Sequence, residues 1–373
     1  MMQSLAQRKP GSKHLSEPCE AIPSLMRVAK LYDLDDIRIE EHPVPELSPH
    51  DALIRMAVCG ICTSDTFPWY VRRKAPAVLG HETAGRIVKL GSEVSEFSVG
   101  DRVFIHHHAP CMSCRHCQHQ EYSMCKTWRE SAIDPGGLAE YVRVPGHNLS
   151  HDCFKIPDTM SMEDAALIEP VACAVQALRR KSPVRQGDHV LVIGAGMMGQ
   201  ILMLLSKHYG ARTVIAADRV PYRLQKSLEL GADVAIDVGN GDLRDRVDNA
   251  TSGDMADVVV VCPGSITAME IALDVTAPGA TVCLFTPSRE DEELTVSPHE
   301  FWFKHITLTA SYSCGPPDTR DAANLIGKDI VTADRIVTNR FSLEEASKGF
   351  ATVSAAQESI KTLVIINEKE ARS

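Results

Sequence analysis

Hydrophobic positions change their spacing twice along this chain. From Arg27 to about Ser150 they come in short runs, alternating with polar residues and closed by turn residues, as in "DALIRMAVCGI" (51–61), "AGRIVKLGSEV" (84–94) and "VGDRVFIH" (99–106). Period-two alternation buries one face of a strand, so this stretch predicts a twisted, mostly antiparallel, barrel-like domain. Near Met162 the period becomes helical. "SMEDAALIEPVACAVQALRR" predicts one helix, with Ser161 as its N-cap and Asp164 three residues on. From His189, "HVLVIGAGMMGQILMLLSKHYGARTVIAADR" reads strand, glycine turn, amphipathic helix, strand. "ADVAIDV", "ADVVVVC" and "ATVCLFT" continue as apolar strands. Such alternation predicts a parallel sheet covered by helices on both faces. The last segment, "IVTNRFSLEEASKGFATVSAAQESIKTLVII", reads as a helix and then a strand.

Composition narrows the picture. At 373 residues the chain is long for one domain and suits two. A formal charge of −10 argues against a nucleic-acid surface, which wants a basic face. No apolar run reaches the length of a membrane span. The first residues, "MMQSLAQRKPGSKHLSEPCEAIPS", lack the apolar core of a secretory signal and read as a loose extension. A cytoplasmic location is therefore expected, where thiols stay reduced. That bears directly on "CMSCRHCQHQEYSMC", in which Cys111, Cys114, Cys117 and Cys125 fall within fifteen residues. Four reduced cysteines so spaced can close tetrahedrally around Zn²⁺. Such a site has no open position. It organises a loop, and chemistry must lie elsewhere.

The turn "GAGMMG" supplies a second element. An apolar strand precedes it, a helix begins inside it, and a second strand ends on Asp218, nineteen residues past Gly199. That context makes it a dinucleotide fingerprint. Gly194 allows the tight turn, Gly196 lets the backbone of Gly196, Met197 and Met198 approach a pyrophosphate, and Gly199 lets helix and strand pack closely. Asp218 would accept from ribose hydroxyls and repel a 2′-phosphate, which favours NAD over NADP. Arg219 lies along the adenine or faces solvent, though a base there could also tolerate a phosphate. Arg223 is placed near the adenosine end.

Three scattered pieces remain: "CGICTSD" (59–65), "GHE" (80–82) and "LIEPVACAV" (167–175). With the cysteine lobe, "GDRV" (100–103), "GGLAEYV" (136–142) and the glycine turn, in this order, the chain resembles the zinc-dependent medium-chain dehydrogenase/reductase superfamily. The resemblance covers residues 27 to about 368 and is closest to the sorbitol/threonine dehydrogenase-like branch. It implies an α/β protein: a GroES-like β-barrel catalytic domain plus a Rossmann doubly wound parallel-sheet domain. The boundaries expected are a flexible extension at 1–26, the catalytic domain at 27–178, the Rossmann domain at 179–317 and the rest of the catalytic domain at 318–373. It implies two Zn²⁺ per chain, one structural and one catalytic. Cys62 and His81 would ligate the catalytic ion, with Glu82 able to swing onto it. Glu169 stands where the polyol branch has its third ligand, with Cys173 as the alternative. Ser64 would take the alcohol proton and Asp65 would orient a metal-side group. Lys361 matches a pyrophosphate-contacting position, unless it is a solvated charge. Phe67 stands where many relatives carry a histidine, so the outer proton route is expected to run through water. The implied reaction moves a hydride between a secondary alcohol (a polyol, cyclitol or related sugar alcohol) and NAD. Alternatives are an amino alcohol such as L-threonine, a sugar-alcohol phosphate, or a catalytically silent nucleotide-binding protein. A homo-dimer or homo-tetramer is expected, with no nucleic-acid or membrane partner. Trp69, Tyr70 and Tyr312 are candidate pocket residues, and His106–His108 are read as loop and core.

Overall fold

The computed structural model describes residues 21–372. Most of the expected N-terminal extension lies outside these residues, and the first strand already begins at Leu25. The early strands are β1 (Leu25–Asp33), β2 (Asp36–Pro43), β3 (Ala52–Gly60), β4 (Ala77–Val78), β5 (Glu82–Leu90), β6 (Arg102–His106), β7 (Tyr141–Val144) and β8 (Cys153–Lys155). After them come β9 (His189–Ile193), β10 (Thr213–Asp218), β11 (Val234–Asp237), β12 (Ala256–Val261), β13 (Thr276–Leu284) and β14 (Thr307–Ala310). The chain closes with β15 (Val337–Ser342) and β16 (Lys361–Ile365).

Three sheets result. β2-β1-β4 forms a small antiparallel sheet. β15-β16-β3-β5-β6-β8, with β7 on β3, forms the seven-stranded barrel sheet. It is antiparallel except for the β15–β16 pair. The chain's last strands thus complete the barrel begun by its first. β11-β10-β9-β12-β13-β14 is wholly parallel, the doubly wound order, with its reversal between β9 and β12. Its strands are nearly continuous Val, Ile, Leu and Ala because both faces are buried.

Two expectations change. The helix expected from Ser161 is broken. Ser161 does cap it, its hydroxyl accepting from Asp164 N at 2.9 Å, but the helix Met162–Ala166 stops and a second runs Ile168–Gln176. Pro170 explains the break: it has no N–H for the Ala166 carbonyl, so it is accommodated only in the first turn of a new helix. The final segment is strand, helix, strand, since β15 precedes the helix Ala346–Ala355. β15 is short, mixed in polarity and half exposed, which hid its alternation. Among the described residues no helix is long and apolar enough to cross a membrane.

Candidate active site

Strand register assembles the first cluster. In the β3–β5 ladder Gly60 faces Glu82, and in the β5–β6 ladder Glu82 faces His106. Cys62 leaves the end of β3, and His81 enters the start of β5. Residues twenty apart in sequence therefore meet at one end of the sheet. Donor atoms of Cys62, His81 and Glu82 all lie within 4.8 Å of one another. Gly60 is required here: a Cβ would fall 1.8 Å from Glu82 Oε2 and 2.9 Å from Lys361 Nζ.

The polar atoms around this trio fit a cation. Glu82 is fully buried. Its Oε2 accepts from Lys361 Nζ, while its Oε1 has no hydrogen-bond partner. An orphaned carboxylate oxygen of this kind is costly unless a ligand satisfies it. Asp65, also buried, sets Oδ2 3.6 Å from His81 Nδ1, an electrostatic contact beyond hydrogen-bond reach, and neither of its oxygens has a hydrogen-bond partner. Ser64 Oγ donates to Cys62 Sγ at 3.2 Å. Burial opposes charge on His81, but Asp65 and the Cys62 sulfur raise its pKa well above the ordinary value. Metal binding here must therefore displace a proton. Burial likewise raises the Asp65 carboxyl.

Glu169 lies beside this group, where it and His81 favour each other's charge. Its carboxylate clusters with His106 and His107, and separately with Cys173 and Cys314. One helical turn on, Cys173 Sγ donates to Glu169 Oε1 at 3.4 Å and holds it on that side. The alternative, Cys173, shares its donor group with Glu169 and Cys314. Lys361 is no solvated charge. It is 1% exposed, and its Nζ binds Glu82 and the Ile61 carbonyl, the latter at 3.0 Å. The histidine run is core and loop as expected, His106 being buried at the end of β6; His106 and His107 lie near Glu169, and His107 lies ring to ring with His81 at 4.9 Å. Only the positional clue of β6 ending beside Glu82 could have signalled this.

The cysteine lobe is compact. Donor atoms of Cys111, Cys114, Cys117 and Cys125 lie within 4.8 Å of each other, with Sγ–Sγ separations of 3.9 Å (Cys111–Cys117) and 3.6 Å (Cys114–Cys117). The Ser113 hydroxyl and nearby backbone amides bring the Cys111 thiol down to about 5. Burial and the neighbouring sulfurs push the Cys117 thiol up to about 12, so an ion arriving in the lobe still displaces a proton there.

In the parallel sheet the glycine turn follows β9. Gly194 has φ +91, and a Cβ on Gly199 would lie 2.1 Å from the Gly194 carbonyl oxygen. The helix Met197–His208 starts after Gly196 with no side-chain cap, so its first amides face outward, free for an anion. Asp218 ends β10 and is tied to the turn: Oδ2 accepts from Ala195 N at 2.6 Å, and Oδ1 from Arg219 N at 2.7 Å and Val220 N at 2.9 Å. Arg223 lies beside it, 3.9 Å from Asp218 Oδ2 and 3.7 Å from where a Gly196 Cβ would be. Arg219 is exposed.

Residues 48–158 match the family described as Alcohol dehydrogenase GroES-like domain, and residues 198–328 match Zinc-binding dehydrogenase. Sorbitol dehydrogenase of Mus musculus is 33% identical over 85% of this chain and 89% of its own length. The chain belongs to the zinc-dependent medium-chain dehydrogenases. The protein named Probable D-xylulose reductase A of Aspergillus clavatus is 30% identical over 90% of this chain and 95% of its own. A solved zinc-binding dehydrogenase from Sinorhizobium meliloti 1021, bound to NADP, superposes with TM-score 0.83 at 28% identity, covering 92% of this chain and all of that one. The dehydrogenase is an oxidoreductase of the alcohol and polyol kind, working with zinc and a nicotinamide nucleotide.

Aromatic residues gather beside its metal-fitting trio. Phe67 and Trp69 stack at 6.2 Å, Trp69 meets Tyr70 edge-on at 5.8 Å, and Trp128 meets Tyr312 edge-on at 5.8 Å. Burial raises the Tyr70 hydroxyl pKa, and the charges of Asp65, Cys62 and Glu169 add to the effect. Tyr312 is raised by burial, with Cys173 and Glu169 adding to it. Both phenols therefore sense the Glu169 charge.

Proposed function

We propose that the enzyme oxidises a secondary hydroxyl of a polyol, cyclitol or related sugar alcohol with NAD⁺, or runs the reverse reduction. The observation that carries this is the buried Glu82 carboxylate, grouped with Cys62 and His81 and with its Oε1 left without a partner. Cys62, His81 and Glu82 would hold the catalytic zinc, which would polarise the substrate hydroxyl and lower its pKa, while NAD⁺ would supply the hydride acceptor.

The chain's own residues do the remainder. Asp65 fixes the His81 ring, and Lys361 fixes the Glu82 carboxylate. Ser64 Oγ, already beside Cys62, accepts the alcohol proton. Phe67 offers no onward acceptor, so the proton passes to water. Tyr70 and Tyr312 hydrogen-bond neighbouring substrate hydroxyls, which suits a polyhydroxylated chain or ring better than a simple alcohol. The backbone from Gly194 to Gly199 holds the pyrophosphate, with Arg223 alongside. Asp218, a fixed negative charge under the turn, disfavours a 2′-phosphate. The polyol names of the mouse and fungal relatives support this substrate class.

The enzyme works as a homo-oligomer in this reading. Trp302 and Phe303 are 76% and 72% exposed on the helix Pro298–Lys304, next to the open edge strand β14, and a second copy would cover them. Every described cysteine is a free thiol, consistent with a reducing cytoplasm.

The test is initial-rate reduction of NAD⁺ and NADP⁺ by zinc-loaded enzyme against linear polyols, cyclitols, polyol phosphates, threonine and primary alcohols. Turnover on polyols or cyclitols with NAD⁺ is expected. Turnover only on threonine or a phosphate would overturn the substrate class, and a preference for NADP⁺ would overturn the role of Asp218.

A further inference from the structure

Two buried ring nitrogens near the trio lack a partner. Trp128 sits on the short helix Lys126–Glu130 of the cysteine lobe and is 2% exposed. Among the described residues its Nε1–H finds no acceptor. His107 follows the end of β6, and its Nδ1 is likewise buried without a partner among them. An indole N–H can only donate, and leaving it buried and unpaired is costly unless a ligand satisfies it.

Both residues are held in place. Ser131 Oγ donates to the Trp128 carbonyl at 3.1 Å, and Asn148 Nδ2 donates to the His107 carbonyl at 3.0 Å. The His108 ring packs on both, at 4.3 Å from Trp128 and 4.1 Å from His107. Their place is next to the metal-fitting residues. His107 lies 4.9 Å from the His81 ring, and one of its nitrogens lies within 4.8 Å of a Glu169 carboxylate oxygen. Trp128 lies 6.4 Å from His107 and 5.8 Å from Tyr312. Tyr312 is 57% exposed and His107 only part-buried, so the row His81, His107, Trp128, Tyr312 runs from a metal-fitting residue to the surface.

We propose that Trp128 Nε1 and His107 Nδ1 are specificity-determining groups that bind a second substrate hydroxyl, the neighbour of the one being oxidised. A hydroxyl oxygen accepts from the indole N–H, and an imidazole nitrogen meets the same hydroxyl as acceptor or donor. Two hydrogen bonds of about 2.9 Å meeting at one oxygen span about 4–5 Å between the nitrogens. Rings with centroids 6.4 Å apart can be bridged over that span. Phenylalanine would pack as well at either position, so the nitrogens are what a hydroxyl recognises. A monohydroxy alcohol leaves both unpaired, and a site with buried polar groups left unpaired rejects such a ligand. The subsite rests on the polyol reading and adds to it the two groups that tell a polyol from a simple secondary alcohol.

The experiment measures kcat/KM of the full-length, zinc-loaded enzyme on paired alcohols: myo-inositol against cyclohexanol, and 2,3-butanediol against 2-butanol. The quantity read is the ratio within each pair. In Trp128→Phe and in His107→Phe the preference for the hydroxylated partner should fall by about 3- to 10-fold, the worth of one hydrogen bond. His107→Asn keeps a polar atom near the place of Nδ1 and should recover most of that loss. Zinc content and melting temperature show whether each variant is folded, and if Trp128→Phe is not, the two His107 variants decide. A wild type that prefers the hydroxylated partners, with ratios unchanged in folded Trp128→Phe and His107→Phe, would overturn the subsite alone. Equal losses on both members of each pair would also overturn it, since they mark a packing role. A wild type that turns over cyclohexanol and 2-butanol as readily as their partners would overturn the polyol reading, and the subsite with it.

Discussion

The cysteine lobe and the Cys62–His81–Glu82 pocket present similar chemistry built in opposite ways. In the lobe all four donors come from fifteen consecutive residues, and short turns bring them together whatever the rest of the chain does. In the pocket the donors leave the ends of β3 and β5, and only strand register makes them neighbours. Their partners come from further away still: Lys361 opens β16, 300 residues after Ile61, whose carbonyl it binds. A local site depends on its own spacing. A non-local site depends on the whole barrel being closed, and so it senses small errors in packing far from its ligands.

That contrast can be broken in several places. The largest effect is expected at Gly60, where an added Cβ would collide with the Glu82 carboxylate. Gly60→Ala should lower kcat by about 100-fold, since displacing a catalytic group by about 1 Å costs that much. Zinc in the cysteine lobe should be retained. An unchanged kcat would show that Glu82 is not placed for catalysis.

Acid should separate the two sites next. In the metal-free pocket, His81 holds a proton well above its ordinary range, so each pH unit downward through neutrality weakens zinc binding there by about tenfold. In the lobe Cys111 is brought down to about 5 but Cys117 is pushed up to about 12, so acid weakens zinc binding there as well. The lobe offers four thiolates against the three protein donors of the pocket, so zinc should leave the pocket first when chelator is titrated at pH 8 and then at pH 6. Simultaneous loss would contradict the account.

A smaller effect is expected at the nucleotide end. Asp218→Asn keeps the side-chain shape and one acceptor oxygen for the Arg219 and Val220 amides, but removes the charge and the acceptor that the Ala195 amide uses. The preference for NAD⁺ over NADP⁺, read as a ratio of kcat/KM, should fall by about tenfold.

Legibility followed the same divide. The lobe, the glycine turn and the strand–helix alternation before Asp218 are local patterns, and the structure contains each where it was expected. β15 was missed because a half-exposed strand with polar residues on both faces has no clear period. The break at Leu167 was legible in Pro170 but overridden by the helical spacing around it. Glu169 was assigned by position within "IEP", yet its carboxylate is held by Cys173 and by histidines on another strand. No spacing in the sequence reveals that contact, because His106 reaches Glu169 only through the β5–β6 pairing. Lys361 was ambiguous for the same reason. Its burial is a property of the closed barrel, and nothing in the sequence around "SIKTLVI" states it.

The most direct test measures kcat and zinc content together in Cys62→Ser and Cys114→Ser. The account predicts that Cys62→Ser loses one ion and at least about 10³ in kcat, the several kcal/mol that a Lewis-acid ion contributes, while its melting temperature stays near that of wild type. Cys114→Ser should lose a different ion and several degrees of melting temperature, while the surviving folded enzyme keeps kcat within about twofold. Full activity in Cys62→Ser, or an equal collapse of kcat in folded Cys114→Ser, would contradict the division of the molecule into a catalytic metal pocket and an architectural one.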